Sequence, residues 1–227
     1  MLSPSDKRAN WKGDDDLNIY LIRHGEKTDD ERNRELLELT EKGFKQAELV
    51  GKRLKNYNID KIYCSNMTRA IQTAEQIDRF LNVGVVTVPE LREIHMGACE
   101  KEGWSYLVKS YPEFIAEFSR HERDLPYPPD GECGEDVWRR ASVFLNELVH
   151  GNYKNVAVVT HGGTIRVLIS GILKISQTRR FYLGDPIQNC SISRLKYDES
   201  SEAFYLQSFN ECSHLDALRI ENQGCKL

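Results

Sequence analysis

Several absences narrow what this 227-residue chain can be. It has no apolar run approaching the roughly 20 residues that a bilayer-spanning helix needs. The stretch Met1 to Asp16 has no apolar core, so it is not expected to act as a signal peptide. It reads as part of a polar extension over residues 1–17, ahead of a single domain over 18–227. None of the 6 cysteines forms a C-x-x-C pair, and nothing else directs the chain to secretion. Reduced thiols in a cytoplasmic protein are expected. Cys212, His214 and Cys225 lack the tight paired spacing of a metal site. Neither sign of charge dominates: 31 basic residues stand against 35 acidic ones, a net charge of -4, which gives no reason to expect a nucleic-acid or acidic-membrane partner. Internal repeats and low-complexity tracts are also missing.

What is present suits a packed enzyme-sized domain, with 40% hydrophobic and 29% charged residues. Two junctions of one design organise the chain. Ile19-Tyr20-Leu21-Ile22 stops on Arg23-His24-Gly25, and Val156-Ala157-Val158-Val159-Thr160 stops on His161-Gly162-Gly163. Each reads as a buried strand ending in a reactive side chain. Between them, Thr40 is placed to cap a helix whose apolar face carries Phe44, Ala47, Leu49, Val50 and Leu54. Lys61 to Ser65 reads as a short strand. Ser65 or Asn66 then begins a helix with Arg69 in its first turn, where the positive end of the helix dipole disfavours a cation. Val85 to Val88 is a further strand, and Glu90 to Gly97 a loop leaving its end.

The segment around Gly103 to Pro129, rich in aromatics and proline, predicts an inserted helical cap bounded at about 98–134. Trp104, Tyr106, Tyr111, Phe114, Phe118 and Tyr127 are expected mainly to build the cap's own core. Glu135 to His150 is helical, with Val137, Ala141, Phe144, Leu145 and Leu148 on one face. A helix over Thr164 to Leu173 and a terminal strand hairpin complete the chain. The alternation of strands and helices gives an α/β class with a mainly parallel sheet. In such sheets the site lies beyond the carboxyl ends of strands, where His24, Arg69, Glu93 and His161 all fall.

Those residues, joined by Arg23, would suit a doubly charged anion. Arg presents paired donors to phosphate oxygens. Gly25, Gly162 and Gly163 allow close approach of backbone N–H groups. A neutral histidine can attack phosphorus while a second steadies the developing charge. A carboxylic acid must then protonate the leaving oxygen, a role for which Glu90, Glu93 and His95 compete. Two His and a Glu can also bind zinc, but an adjacent Arg competes with a cation and no H-x-x-x-H spacing occurs.

The motifs resemble those of the histidine phosphatase superfamily, the group that includes cofactor-dependent phosphoglycerate mutases. Leu21-Ile22-Arg23-His24-Gly25-Glu26 resembles its signature, and Leu39-Thr40-Glu41-Lys42-Gly43 the segment after it. Cys64 to Ala74 resembles its second arginine block. Leu91-Arg92-Glu93-Ile94-His95-Met96-Gly97 is similar to its acid loop, and Val159 to Arg166 to its second histidine block. Asn189-Cys190-Ser191-Ile192 and Ser213-His214-Leu215 are also similar to family segments. The resemblance implies a three-layer α/β/α sandwich with an inserted cap that selects substrate. It implies that His24 is the nucleophile, that Arg23 and Arg69 hold the phosphoryl group with Gly162 beside them, and that His161 stabilises the transferring charge. It selects Glu93 as proton donor, and it implies no metal and no other cofactor.

The chain departs from that pattern in three places. Asp30 stands where many members have Asn, unless Asn33 takes that place. Gly131-Glu132-Cys133 replaces Gly-Glu-Ser. Ala98-Cys99-Glu100-Lys101-Glu102-Gly103-Trp104 replaces a Trp-Glu-Gly. The expected function is hydrolysis of a small phosphorylated metabolite through a phosphohistidine, by a monomer or homodimer. A mutase is the alternative, and a non-catalytic phosphate-binding protein the second. The segment Asp124-Leu125-Pro126-Tyr127-Pro128-Pro129 lacks the paired arginines with which a mutase clamps a carboxylate.

Overall fold

The computed structural model describes residues 16–29, 36–184, 186–216 and 218. Asp30, Asn33 and Cys225 lie outside them. Six strands form one sheet in the order β3-β2-β4-β1-β5-β6. They are β1 (Leu17–Arg23), β2 (Lys61–Cys64), β3 (Val85–Thr87), β4 (Asn155–Thr160), β5 (Ile192–Asp198) and β6 (Ala203–Glu211). The first four are mutually parallel, and β5 and β6 run antiparallel at one edge.

Strand alternation builds the layers. Tyr20 and Ile22 of β1, with Ala157 and Val159 of β4, pack on α1 (Glu41–Leu54) and α2 (Thr68–Leu81). Leu17, Ile19 and Leu21, with Val156 and Val158, pack on α5 (Gly134–Val149) and α6 (Gly162–Ile172). The result is the α/β/α arrangement. A third cluster of Ile94, Cys99, Leu107, Tyr127, Val137 and Val167 joins α3 (Cys99–Ser110) to α5 and α6. α4 (Pro112–Phe118) lies beside it. Among the described residues, no helix is long and apolar enough to cross a membrane.

Some details differ from the sequence reading. Phe44 is 37% exposed, because Gly43, Gln46, Ala47 and Val50 turn inward around it. α2 begins at Thr68, with Met67 before it and no side-chain cap. Ser65 instead uses its hydroxyl on Met67 N–H and on His161. In the cap, Phe114, Phe118 and Tyr127 pack together as rings, but Trp104 and Tyr106 are 42% and 40% exposed. A short two-part helix cannot bury every ring it carries.

The Thr40 hydroxyl accepts from Gly43 N–H at 3.0 Å and donates to Glu26 at 3.1 Å, so it joins α1 to the segment after β1. Thr40→Ala is expected to lower unfolding free energy by ~1 kcal/mol, with Thr40→Ser close to wild type. Urea unfolding curves of the two variants check this.

Candidate active site

The site forms where β1 and β4 end side by side, with Arg23 opposite Thr160 in the parallel register. His24 N–H donates to the Thr160 carbonyl at 2.9 Å, so the pairing carries one residue past the strand. Alternation then splits the next two side chains. Arg23 turns toward α6, donating through Nη1 to the Ile187 carbonyl. Its Nε is 3.6 Å from where a Cβ on Gly162 would lie. His24 turns the other way, toward α2.

The His24 ring has a defined tautomer. Nδ1 lies 2.7 Å from the Gly25 carbonyl, which can only accept, so Nδ1 carries the proton. Nε2 lies 3.1 Å from Arg69 Nε, which can only donate, so Nε2 presents its lone pair. The imidazole is therefore neutral. Burial pushes its pKa well below the ordinary 6.5, and the nearby Arg69 and Arg23 charges push it further in the same direction. Arg69 sits in the first turn of α2 and is buried. The dipole that disfavours a cation there is overridden by contacts with His24 Nε2 and the Met67 sulfur.

His161 is the residue before α6 and has no exposed surface. Its ring centre is 5.1 Å from that of His24. Nε2 meets Ser65 Oγ at 2.8 Å. Burial, then Arg69, His24 and Arg23, also push its pKa well below 6.5. His161 Nδ1 and Arg23 Nε are buried and find no hydrogen-bond partner among the described residues. Buried polar atoms in that state call for a specific explanation, a catalytic role among them.

Glu93 lies on the loop after the 3-10 turn Pro89–Leu91. Its carboxylate accepts from Gly163 N–H at 3.2 Å, Thr164 N–H at 3.1 Å and Ile94 N–H at 3.0 Å. It is seated at the N-terminus of α6, where the first backbone N–H groups of that helix orient its carboxyl group. A Cβ on Gly163 would lie 2.5 Å from Glu93 Oε1, so a larger residue there would displace the carboxyl group. The other two acid candidates are placed differently. Glu90 is in the 3-10 turn, and His95 is engaged through its backbone with Glu132.

Several participants escaped the sequence reading. Thr73 Oγ1 accepts from Gly25 N–H, and Asn189 Nδ2 donates to the His24 carbonyl at 2.9 Å. Arg166 donates to the carbonyls of Leu183 and Gly184. Asn189 belongs to a stretch that already resembled the family, but no role attached to it. Ser65 read only as a helix start.

The family model for the histidine phosphatase superfamily (branch 1) matches residues 19–211. The chain belongs to this superfamily. A Yersinia pestis protein named probable phosphoglycerate mutase GpmB is 31% identical over 212 residues, 88% of this chain and 95% of that one. Among solved structures, a mycobacterial glucosyl-3-phosphoglycerate phosphatase superposes with a TM-score of 0.78 at 23% identity, covering 87% of this chain and 100% of its own. An Entamoeba histolytica phosphoserine phosphatase variant, solved with phosphoserine, gives a TM-score of 0.73 at 26% identity over 88% of this chain and 99% of its own. At the carboxyl ends of β1 and β4 the chain brings His24 beside Arg69 and His161, with Arg23 next to Gly162 and Glu93 on the first N–H groups of α6.

The buried histidines tie stability to pH. Both have folded pKa values below the unfolded 6.5, so the unfolded chain binds more protons as pH falls below that value. Stability is fully present above pH 6.5 and declines beneath it, with a slope approaching ~1.4 kcal/mol per pH unit for each histidine. Burial also lowers the His214 pKa, so His161→Gln should reduce this slope by about a third between pH 6.5 and 5. Urea unfolding at stepped pH in phosphate-free buffer reads it, and a flat profile for the wild type would contradict the neutral, buried state.

Proposed function

We propose that this chain is a metal-independent phosphomonoesterase that works through a phosphohistidine on His24. The observation that carries the reading is the His24 Nε2 lone pair, held beside Arg69 on an imidazole that burial and two guanidiniums keep neutral. In this reading the phosphoryl group enters between Arg23, Arg69 and His161. Its oxygens take over the Arg69 N–H from His24 and meet Arg23 Nε and His161 Nδ1, the buried atoms that lack a partner among the described residues. Nε2 attacks phosphorus in line, and the P–O bond to the alcohol breaks as the P–N bond forms. The leaving oxygen takes a proton from Glu93. A water then attacks phosphorus, Glu93 accepts its proton, and the P–N bond breaks to release phosphate and neutral His24. Positioning and charge stabilisation supply most of the acceleration such transfers need. Both imidazoles already engage Arg69 or Ser65, an arrangement poorly suited to gathering a divalent cation.

A phosphoglycerate mutase is the second reading, favoured by the printed name of the Yersinia relative. It shares the first half of the chemistry and differs in the acceptor of the phosphoryl group. The solved structures named as phosphatases favour hydrolysis, as does the absence of an arginine pair from the segment Asp124 to Pro129.

Two assays decide. With p-nitrophenyl phosphate in EDTA, the wild type should turn over, and His24→Ala should lose at least ~10⁴-fold in kcat. Loss of wild-type activity on chelation would overturn the metal-independent mechanism. With 3-phosphoglycerate and 2,3-bisphosphoglycerate, slow release of phosphate without isomerisation is expected. Rapid interconversion with little free phosphate would establish the mutase.

A further inference from the structure

The segment that carries Glu93 has no regular structure between the 3-10 turn ending at Leu91 and the start of α3 at Cys99. A proton donor on such a loop needs an external hold, and two charged residues supply it. Glu132 Oε2 accepts from His95 N–H at 2.8 Å, and Glu132 N–H donates to the His95 carbonyl at 2.8 Å. Arg140, on α5, lays its fork on the same carboxylate, with Nε on Oε1 at 2.7 Å and Nη2 on Oε2 at 2.9 Å. Nη2 also reaches the Glu93 carbonyl at 3.2 Å, and Nη1 the Glu90 carbonyl at 2.5 Å. The side chains are only 18% and 22% exposed, so the pair is poorly screened by solvent. Burial pushes the Glu132 carboxyl up, but its bonds to Arg140 and His95 outweigh that and hold it below its ordinary value. The fit is close, since a Cβ on Gly131 would lie 2.7 Å from the His95 carbonyl oxygen.

We propose that Glu132 and Arg140 are positioning residues that hold Glu93 in place as proton donor. This rests on the reading of Glu93 given above. The pair grips the backbone at Glu90, at Glu93 itself and at His95, two residues beyond. The N–H groups of α6 hold the Glu93 carboxylate from the other end. A planar bidentate fork fixes both distance and angle, which a lysine cannot do. Displacing an acid by about 1 Å is enough to cost on the order of 10²-fold in rate.

The test compares kcat/KM for two esters, because this ratio reports steps through formation of the phosphoenzyme. p-Nitrophenol leaves readily as its anion and needs little protonation, whereas the alcohol of β-glycerol phosphate needs the acid. Glu132→Gln and Arg140→Lys should each lower kcat/KM for β-glycerol phosphate by roughly 30-fold and for p-nitrophenyl phosphate by less than about threefold. Glu93→Gln should show the same pattern more strongly. In the Glu93→Gln background, adding Glu132→Gln should change either ratio by less than about twofold, since the group being positioned is gone. Equal losses on the two esters, or full multiplication in the double variant, would mean the pair only stabilises the fold and would overturn the proposal. If Glu93→Gln itself showed no leaving-group dependence, the proton-donor reading would fall and the proposal with it. That outcome is separable because it appears in the Glu93 variant alone. Should Glu132→Gln fail to fold, Arg140→Lys, which keeps the charge and loses the fork, carries the same comparison.

Discussion

The contact between Arg69 Nε and His24 Nε2 constrains everything around it. A guanidinium is protonated at any working pH, so the nitrogen it touches must carry a lone pair. Placing an imidazolium about 4 Å from that charge would cost ~4 kcal/mol at an effective dielectric near 20, before burial is added. Neutrality is thus enforced by geometry and does not depend on solution pH near neutrality. The proton that remains on Nδ1 needs an acceptor, and the Gly25 carbonyl supplies it. That in turn fixes the backbone after β1, which passes so close to α1 that a Cβ on Gly25 would meet the Gly43 carbonyl at 2.6 Å. The His24 lone pair, its tautomer and the packing of a helix against a loop are therefore a single requirement.

The sheet explains why the five proposed site residues, from distant parts of the chain, can meet. β1 and β4 are adjacent, parallel and in register, so both end at one level. Alternation sends Arg23 and His24 to opposite layers, which lets neighbouring residues approach one ligand from two sides. α6 begins immediately after His161 and offers its N–H groups to Glu93. Helix N-termini often hold phosphate directly. Here that terminus seats Glu93, and in the proposed mechanism the helix end orients this carboxyl group while arginine and histidine side chains meet the phosphate.

Much of this could be read from residue order. The apolar runs at Ile19 to Ile22 and Val156 to Thr160 have no plausible place except a doubly covered sheet, and their termination on Arg-His-Gly and His-Gly-Gly marks the reactive edge. The Thr40 cap and the inward face of α5 follow from local chemistry and a 3.6-residue period. Contacts between residues far apart in sequence left no local trace. Ser65 meets His161 across 96 positions, and Arg140 reaches the Glu93 carbonyl across 47. Periodicity describes one element at a time, so it is blind to both. Phe44 misled for a related reason: its spacing suits the buried face, but the close approach of α1 to the Glu26 backbone leaves room there for glycine and pushes the ring outward.

The choice between water and a second alcohol as phosphoryl acceptor turns on where cations remain available. A mutase must hold a carboxylated acceptor while the phosphohistidine survives, which calls for guanidiniums not already committed. Near the cap, Arg180 is buried and paired with Asp124, and Arg140 is paired with Glu132. Breaking either would strand a charge in a poorly solvated place, a loss of several kcal/mol. Arg123 and Arg139 also have carboxylate partners, Glu117 and Asp136, although these pairs are exposed and weak. The strongest guanidinium donors of this region are thus spent on fixing the cap and the acid loop. In the mechanism proposed above, this commitment of the guanidiniums among the described residues supports water over a second anionic alcohol as the phosphoryl acceptor.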